Sequence, residues 1–130
     1  MTDPISDMLT QIRNALAVKK PEVVLPYSKF KNSLAETLQK HGWLDRVEPA
    51  TDGKFKMLKL KLKYDVTGMP VISGLKRVSK PGQRMYAKVT RIPRVMLGNG
   101  QAIVSTSRGL MTADQARKEK LGGELICEVW

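Results

Sequence analysis

The sequence predicts an α+β fold divided into two small modules, and three observations carry that prediction. Apolar residues recur at helical spacing at Ile5, Met8, Leu9, Ile12 and Leu16. From Lys54 to Tyr64 polar and apolar residues alternate with the two-residue period of a half-buried antiparallel strand. From Val66 to Ala113 there are eight basic residues and no acidic one, and this break in composition begins beside Gly68 and Pro70. A chain of 130 residues makes one ordinary domain or two modules sharing an interface. The boundary is placed between residues 66 and 70: an N-terminal module, 1–66, of two helices and three strands, and a C-terminal module, 67–130, mostly antiparallel β with short helices. A connector this short is no free tether.

In the first module, Asp3 caps the opening helix, Pro4 takes its first position and Pro21 ends it. Its polar face carries Thr10, Arg13 and Asn14, a solvated surface on the simplest reading, with a phosphate contact from Arg13 as the alternative. Glu22 to Leu25 is a short strand closed by Pro26. Ser28 caps a second helix with Phe30, Leu34 and Leu38 on one face, Lys29, Lys31 and Lys40 projecting, and Gly42 as the left-handed residue at its end. His41 suits the helix dipole better than it suits a ligand or base. Trp43 to Glu48 is a strand, Asp52-Gly53 a hairpin turn and Lys54 to Tyr64 the return strand. The lysines change from even to odd positions at Met57-Leu58, where a β-bulge would restore the phase. A solvated strand face explains this lysine ladder better than an RNA track does.

In the second module, Val71 to Val78 reads as a strand, Lys80-Pro81-Gly82-Gln83 as a type II turn, and Arg84 to Tyr86 as the start of the returning strand of a basic hairpin. Pro93 opens a single helical turn through Val95 to Leu97. Ala102 to Val104 form a buried strand ending in Ser105, Thr106, Ser107 and Arg108. Thr112 and Gln115 form a capping box for a helix through Lys120, ended by Gly122-Gly123. Glu124 to Trp130 is the last strand, with Leu125, Cys127 and Val129 on one side and Ile126 and Trp130 on the other.

Charge narrows the function. The formal net charge is +11, with twelve Lys and Arg against eight Asp and Glu in residues 1–65, and eleven against four in residues 66–130. That excess points to a polyanion, nucleic acid or an acidic membrane surface. Membrane attachment would favour a basic helix with an exposed apolar face, and no apolar run approaches the roughly 20 residues of a spanning helix. Met1-Thr2-Asp3 begins no basic leader, so no secretory signal is expected. One cysteine and one histidine predict neither a disulfide nor a zinc site, and no cofactor. A nucleophilic serine needs a base and an orienting third group, and the sole histidine is far from Ser105 to Ser107. No enzyme is expected.

The hydroxyl run offers donors and acceptors on short side chains, beside the planar fork of Arg108. Such residues at strand ends also serve the turn itself, and that reading stands beside the binding one. Tyr86 lies among cations, where its ring either stacks on an unpaired base or belongs to the core. Arg77, Lys80 and Arg84 cluster without acidic neighbours in sequence and are assigned to phosphates with Arg108, Arg13 and Lys31.

Five segments resemble the small-subunit ribosomal protein eight family of bacteria and organelles: DPISDMLTQIRNA from Asp3, RVSKPGQRMY from Arg77, IPRVMLGNG from Ile92, IVSTSRGLMT from Ile103 and LGGELIC from Leu121. The resemblance implies the two modules in tight contact. It implies a primary binder of the central domain of 16S rRNA that recognises an irregular helix with an internal loop and helps assemble the platform of the 30S subunit. It also implies small-subunit proteins five and twelve as neighbours, repression of its own operon's mRNA, and a cytoplasmic or organelle ribosome. The implied contacts are Ser105, Thr106 and Ser107, with Tyr86 and the turn Gly122, Gly123 and Glu124. An A-form major groove is too deep and narrow for side chains, so recognition uses the minor groove, 2′-hydroxyls and exposed bases, which short hydroxyls suit. Glu124 departs from the basic pattern: it accepts from a base or sugar, caps the turn, or pairs with Lys120.

Overall fold

The computed structural model describes residues 2–130. Contacts divide them into a unit of Asp7–Ile72 and a unit of Ser73–Trp130 that also takes the residues through Ser6. The division thus falls beyond the expected 66/67 boundary. The reason is local: Gly68 (φ 88°) and Pro70 belong to a turn that folds back on the preceding strand, with Val71 N–H donating to Lys63 O at 3.0 Å and Asp65 N–H to Met69 O at 2.8 Å. The loss of acidic residues begins inside this turn.

In the first unit, helix α1 (Pro4–Ala17), whose first turn lies in the other unit, is capped by Asp3, which accepts from Ser6 N–H at 3.2 Å. Met8, Leu9, Ile12 and Leu16 are its buried stripe. Left-handed Lys19 (φ 57°) stops it before Pro21. Strand β1 (Glu22–Pro26) leads to α2 (Lys29–Lys40), where Ser28 Oγ accepts from Lys31 N–H. Gly42 (φ 83°) closes α2 as expected, with Gly42 N–H on Gln39 O and Trp43 N–H on Leu38 O. Strands β2 (Leu44–Asp52) and β3 (Phe55–Leu62) complete an antiparallel sheet in the order β1-β3-β2.

Two details of this hairpin differ from the sequence reading. The turn residues are Gly53 and Lys54, because Asp52 already pairs with Phe55. No bulge occurs at Met57-Leu58: the pairing of β3 runs unbroken there on both sides, with Leu58, Leu60 and Leu62 buried in alternation. Lys56 shares their parity only because β3 outruns the core at that end, where its ammonium sits 3.9 Å from the Tyr27 ring centroid. The register shift lies in β2 instead, between Leu44 and Arg46.

The second unit is built on β8 (Gly123–Val129). Strand β6 (Gln101–Thr106) pairs along one edge of it and carries β7 (Gly109–Thr112) outside. Along the other edge run β4 (Leu75–Arg77), opposite Val129 to Cys127, and β5 (Tyr86–Ala87), opposite Glu124 and Gly123. The expected basic hairpin is therefore not one: β4 and β5 pair with β8, not with each other. The Lys80–Gln83 turn between them is closed by reciprocal backbone hydrogen bonds of 3.1 and 3.0 Å.

Ala102, Val104, Met111 and Leu125 on one sheet face pack with Ala113 and Ala116 of helix α3 (Ala113–Glu119) and with Ile92 and Val95. Opposite β6, Ile103 faces Cys127 while Val104 faces Leu125, so Ile126 is an extra residue in β8. The bulge puts Leu125 and Cys127 on opposite faces, correcting the simple alternation expected. Thr112 caps α3 through Gln115 N–H at 3.3 Å, but the Gln115 side chain bonds Glu119, so only half of the capping box forms. Lys120 (φ 57°), not the glycine pair, is the left-handed closing residue. Where one helical turn was expected, Met96 and Leu97 are both left-handed (φ 47° and 54°).

Candidate RNA interface

Register builds the site. Tyr86 of β5 stands opposite Glu124 of β8, and Glu124 stands opposite Ser105 of β6. Directly opposed residues of antiparallel strands project to one face at about 5 Å spacing. Three of the residues singled out from the sequence, 86, 105 and 124, therefore form a row across three strands. The bulge at Ile126 makes this possible, since it sets the phase in which Glu124 shares the face of Ser105.

The β6–β7 turn lies at the end of this row, with Ser107 and Arg108 as its two central residues. Thr106 faces the turn itself: its hydroxyl donates to Gly109 O at 2.8 Å and accepts from Arg108 N–H at 3.1 Å. Ser107 is exposed, Ser105 half-buried, and neither hydroxyl is held by a described side chain or carbonyl. The three hydroxyls expected to act together thus divide into one that closes the turn and two that face outward. Tyr86 is 70% exposed, which removes it from the core and leaves its ring open to stacking.

Gly122 and Gly123 are spacers. A Cβ on Gly123 would lie 2.1 Å from Ser105 O, and one on Gly122 would lie 2.5 Å from Ala87 O. Bare backbone at these positions lets the strands approach closely enough to form the row.

Glu124 neither caps the turn nor pairs with Lys120. Its Oε2 accepts from the Ser79 hydroxyl and from Arg84 Nη1, the latter at 3.0 Å. Burial pushes the carboxyl up, but those hydrogen bonds and the Arg84 and Arg77 charges outweigh it and hold the group below the ordinary value of 4.5. Glu124 is a fixed carboxylate.

The cations separate into two groups. Arg77 does not face solvent: its side chain is 8% exposed, Nε and Nη2 fork onto Asp3 at 3.1 and 3.3 Å, and Nη1 donates to Ile126 O at 2.7 Å. The assignment of Arg77 to phosphate is corrected accordingly; it ties the start of α1 to the bulged strand. Arg84 and Arg108 are exposed but carry partners, Glu124 and Glu119. Lys76, Lys80, Lys88, Arg91 and Arg94 are exposed and make no ion pair with a described residue. Sequence reasoning saw a field without acids; its missing partners come from outside the span. Arg13 and Lys31 belong to the first unit, where Arg13 donates to Thr10 Oγ1 and Lys31 to Pro26 O.

Ser79 was missed. It is fully buried between the end of β4 and the Lys80–Gln83 turn, and nothing in its sequence context distinguishes it from any turn-flanking serine. Burial pushes the Cys127 thiol up to about 12, and among the described residues no His, Cys, Asp and Glu cluster could hold a metal.

A family profile described as Ribosomal protein S8 matches residues 3–130. The chain belongs to the ribosomal protein S8 family. The protein named small ribosomal subunit protein uS8 from Caldanaerobacter subterraneus subsp. tengcongensis is 55% identical over 130 residues, covering 100% of this chain and 98% of that protein. Those of the same name from Desulforamulus reducens and Clostridioides difficile are 52% and 49% identical over the same coverage. The S8 family is structural and its known role is binding rRNA, in keeping with a surface that offers donors, acceptors and cations. No helix of the described residues is long and apolar enough to cross a membrane.

Proposed function

We propose that this S8-family chain, a structural constituent of the ribosome that binds rRNA, recognises an irregular helix with an internal loop in the central domain of 16S rRNA through the β5–β8–β6 strand ends. The observation that carries the reading is the cross-strand row Tyr86, Glu124 and Ser105 beside the exposed Ser107. It sets a stacking ring, a fixed acceptor and one hydroxyl on one side of a sheet, with the exposed Ser107 hydroxyl at the adjoining turn. An intact duplex offers neither an unstacked base for the ring nor a splayed amino group for the carboxylate; the defect of an irregular helix offers both. Lys80, Arg84 and Arg108 contribute phosphate contacts without sequence information. The protein acts as a primary binder in assembling the platform of the 30S subunit, next to small-subunit proteins five and twelve, in a cytoplasmic ribosome. A similar RNA shape in its own operon's mRNA would engage the same row and repress translation.

Ser107→Ala and Thr106→Val separate binding from turn formation. Ser107→Ala should weaken the irregular helix about tenfold, leave a regular duplex unaffected and leave the melting temperature unchanged. Thr106→Val should lower stability by about 1 kcal/mol, the worth of a typical hydrogen bond, with its binding loss explained by the unfolded fraction. Parent-like affinity for the irregular helix in a Ser105→Ala/Ser107→Ala/Tyr86→Ala protein would remove the row from the interface.

A further inference from the structure

We infer that Ser79 is a positioning residue of this interface: its hydroxyl holds Glu124 and the start of β5 in one arrangement, so that Glu124 Oε1 and the Tyr86 ring face the RNA together. The inference rests on the proposed role of the Tyr86–Glu124–Ser105 row.

The hydroxyl of Ser79 is completely buried and both of its capacities are used. It donates to Glu124 Oε2 and accepts from Met85 N–H at 3.1 Å. Met85 O in turn accepts from Leu125 N–H at 2.8 Å, and Ser79 N–H donates to Leu125 O at 2.9 Å, so one small ring of bonds joins the end of β4, the start of β5 and β8. A serine hydroxyl rotates to suit its partners, and here the Met85 amide donor leaves its own proton to Glu124. Arg84 reaches the same Oε2 from the solvent side. Both intramolecular donors therefore engage one oxygen, and Oε1 is left for an exocyclic amino group or a 2′-hydroxyl. Without Ser79, the carboxylate would be tethered only by half-exposed Arg84, whose guanidinium is also a candidate for phosphate. Glu124 would then swing, and Tyr86 would lose the bond that fixes the residue before it.

The test uses the full chain, an RNA fragment carrying the internal loop, and a regular duplex of equal length. Ser79→Ala should weaken the loop RNA roughly tenfold while leaving the duplex unchanged, as expected when a bond to a charged group is lost at a readout position. Carbon-detected NMR of the free protein should show the Glu124 titration midpoint moving up in Ser79→Ala, with Arg84 and Arg77 still facing the carboxylate, and back toward the parent in Ser79→Thr. A purely structural serine would lower the melting temperature without moving that midpoint. An unmoved midpoint, or a moved midpoint with parent-like loop affinity, overturns the inference. Glu124→Gln separates the two readings: if it binds the loop as the parent does, the assignment of Glu124 to RNA fails and the positioning role falls with it. The parent supplies a check that needs no variant. Its Met85 amide shift should follow the Glu124 titration, since both groups bond one hydroxyl, and a Met85 amide indifferent to that titration overturns the inference independently.

Discussion

Gly123→Ala is the sharpest test of how the row is assembled. The added methyl would sit 2.1 Å from Ser105 O, 2.9 Å from Ser105 C and 3.3 Å from Thr106 Cα. Ordinary contact begins near 3.4 Å, so β6 and β8 would have to separate by more than 1 Å at the Ser105–Glu124 pair. The obstacle is backbone, and no rotamer change relieves it. Overpacking of this kind costs about 1–3 kcal/mol, and the upper end applies where backbone must move, with roughly 1 kcal/mol more for a weakened ladder bond. A loss of about 3–4 kcal/mol should lower the melting temperature by on the order of 10 °C or more, read by calorimetry and by urea titration at constant m. Gly53→Ala is the control: its φ of 60° is strained for alanine, but no atom lies within 4 Å, so its cost should stay near 1 kcal/mol. The folded fraction of Gly123→Ala should also bind loop RNA weakly, because Ser105 has moved away from Glu124. Stability within 0.5 kcal/mol of the parent would refute the close-approach argument.

Three further outcomes follow from the division of the cations. Arg77→Ala should cost about 3 kcal/mol, as expected when one member of a buried pair is removed, and should leave the salt dependence of RNA binding unchanged; a reduced slope would return Arg77 to the phosphates. Burial pushes the Asp3 carboxyl up, but the Arg77 and Ser6 bonds and the Arg77 charge hold it below 3.8; a depressed folded value gives stability that is present above the unfolded value and lost as pH falls through the folded one, so Asp3→Asn should flatten the acid limb of the stability profile below about pH 4. Lys80→Gln, which removes an exposed and unpaired cation, should leave the melting temperature unchanged and reduce the slope of log affinity against log salt by about 0.7–0.9, measured by titration at four salt concentrations.

What the sequence disclosed depended on the range of the interaction. The caps at Asp3, Ser28 and Thr112, the stripe from Met8 to Leu16 and the closure at Gly42 are set by residues within a few positions of each other, and periodicity exposes them. Strand partnership is not local. Arg84 to Tyr86 reads as a return strand to Val71–Val78, yet both strands find β8, some forty to fifty residues later, because β8 is long enough to offer Cys127 to Val129 to one and Gly123-Glu124 to the other. The bulge at Ile126 is equally hidden: no glycine or proline marks it, and it is fixed by partners on β6 and by the Arg77 bond to Ile126 O. Of the proposed site, Tyr86, Ser105 and Ser107 stood out by residue type, whereas Glu124 entered only through the family resemblance, because a carboxylate runs against the basic pattern. Arg77 misled because its partner, Asp3, is 74 positions away. Ser79 left no trace because a buried hydroxyl between two strands looks like any serine beside a turn.

The presence of Glu124 in so basic a surface has a physical reason. Cations alone would make this protein bind any RNA, since counterion release gives affinity without discrimination. Discrimination gains from an acceptor, and a mobile carboxylate on a basic surface would collapse onto whichever lysine or arginine came nearest. Here the collapse has already occurred in a controlled form: Arg84 and Ser79 occupy one oxygen, and the β8 ladder fixes the backbone behind it. The Arg84 charge also offsets that of the carboxylate toward an approaching phosphate. On the interface proposed above, the group used for readout is thereby held at strand precision while the long cations supply attraction, and the two tasks fall to different residues. Placing the row on a sheet and not in a loop is what this division requires, because ladder bonds hold positions to a fraction of an ångström where loops drift.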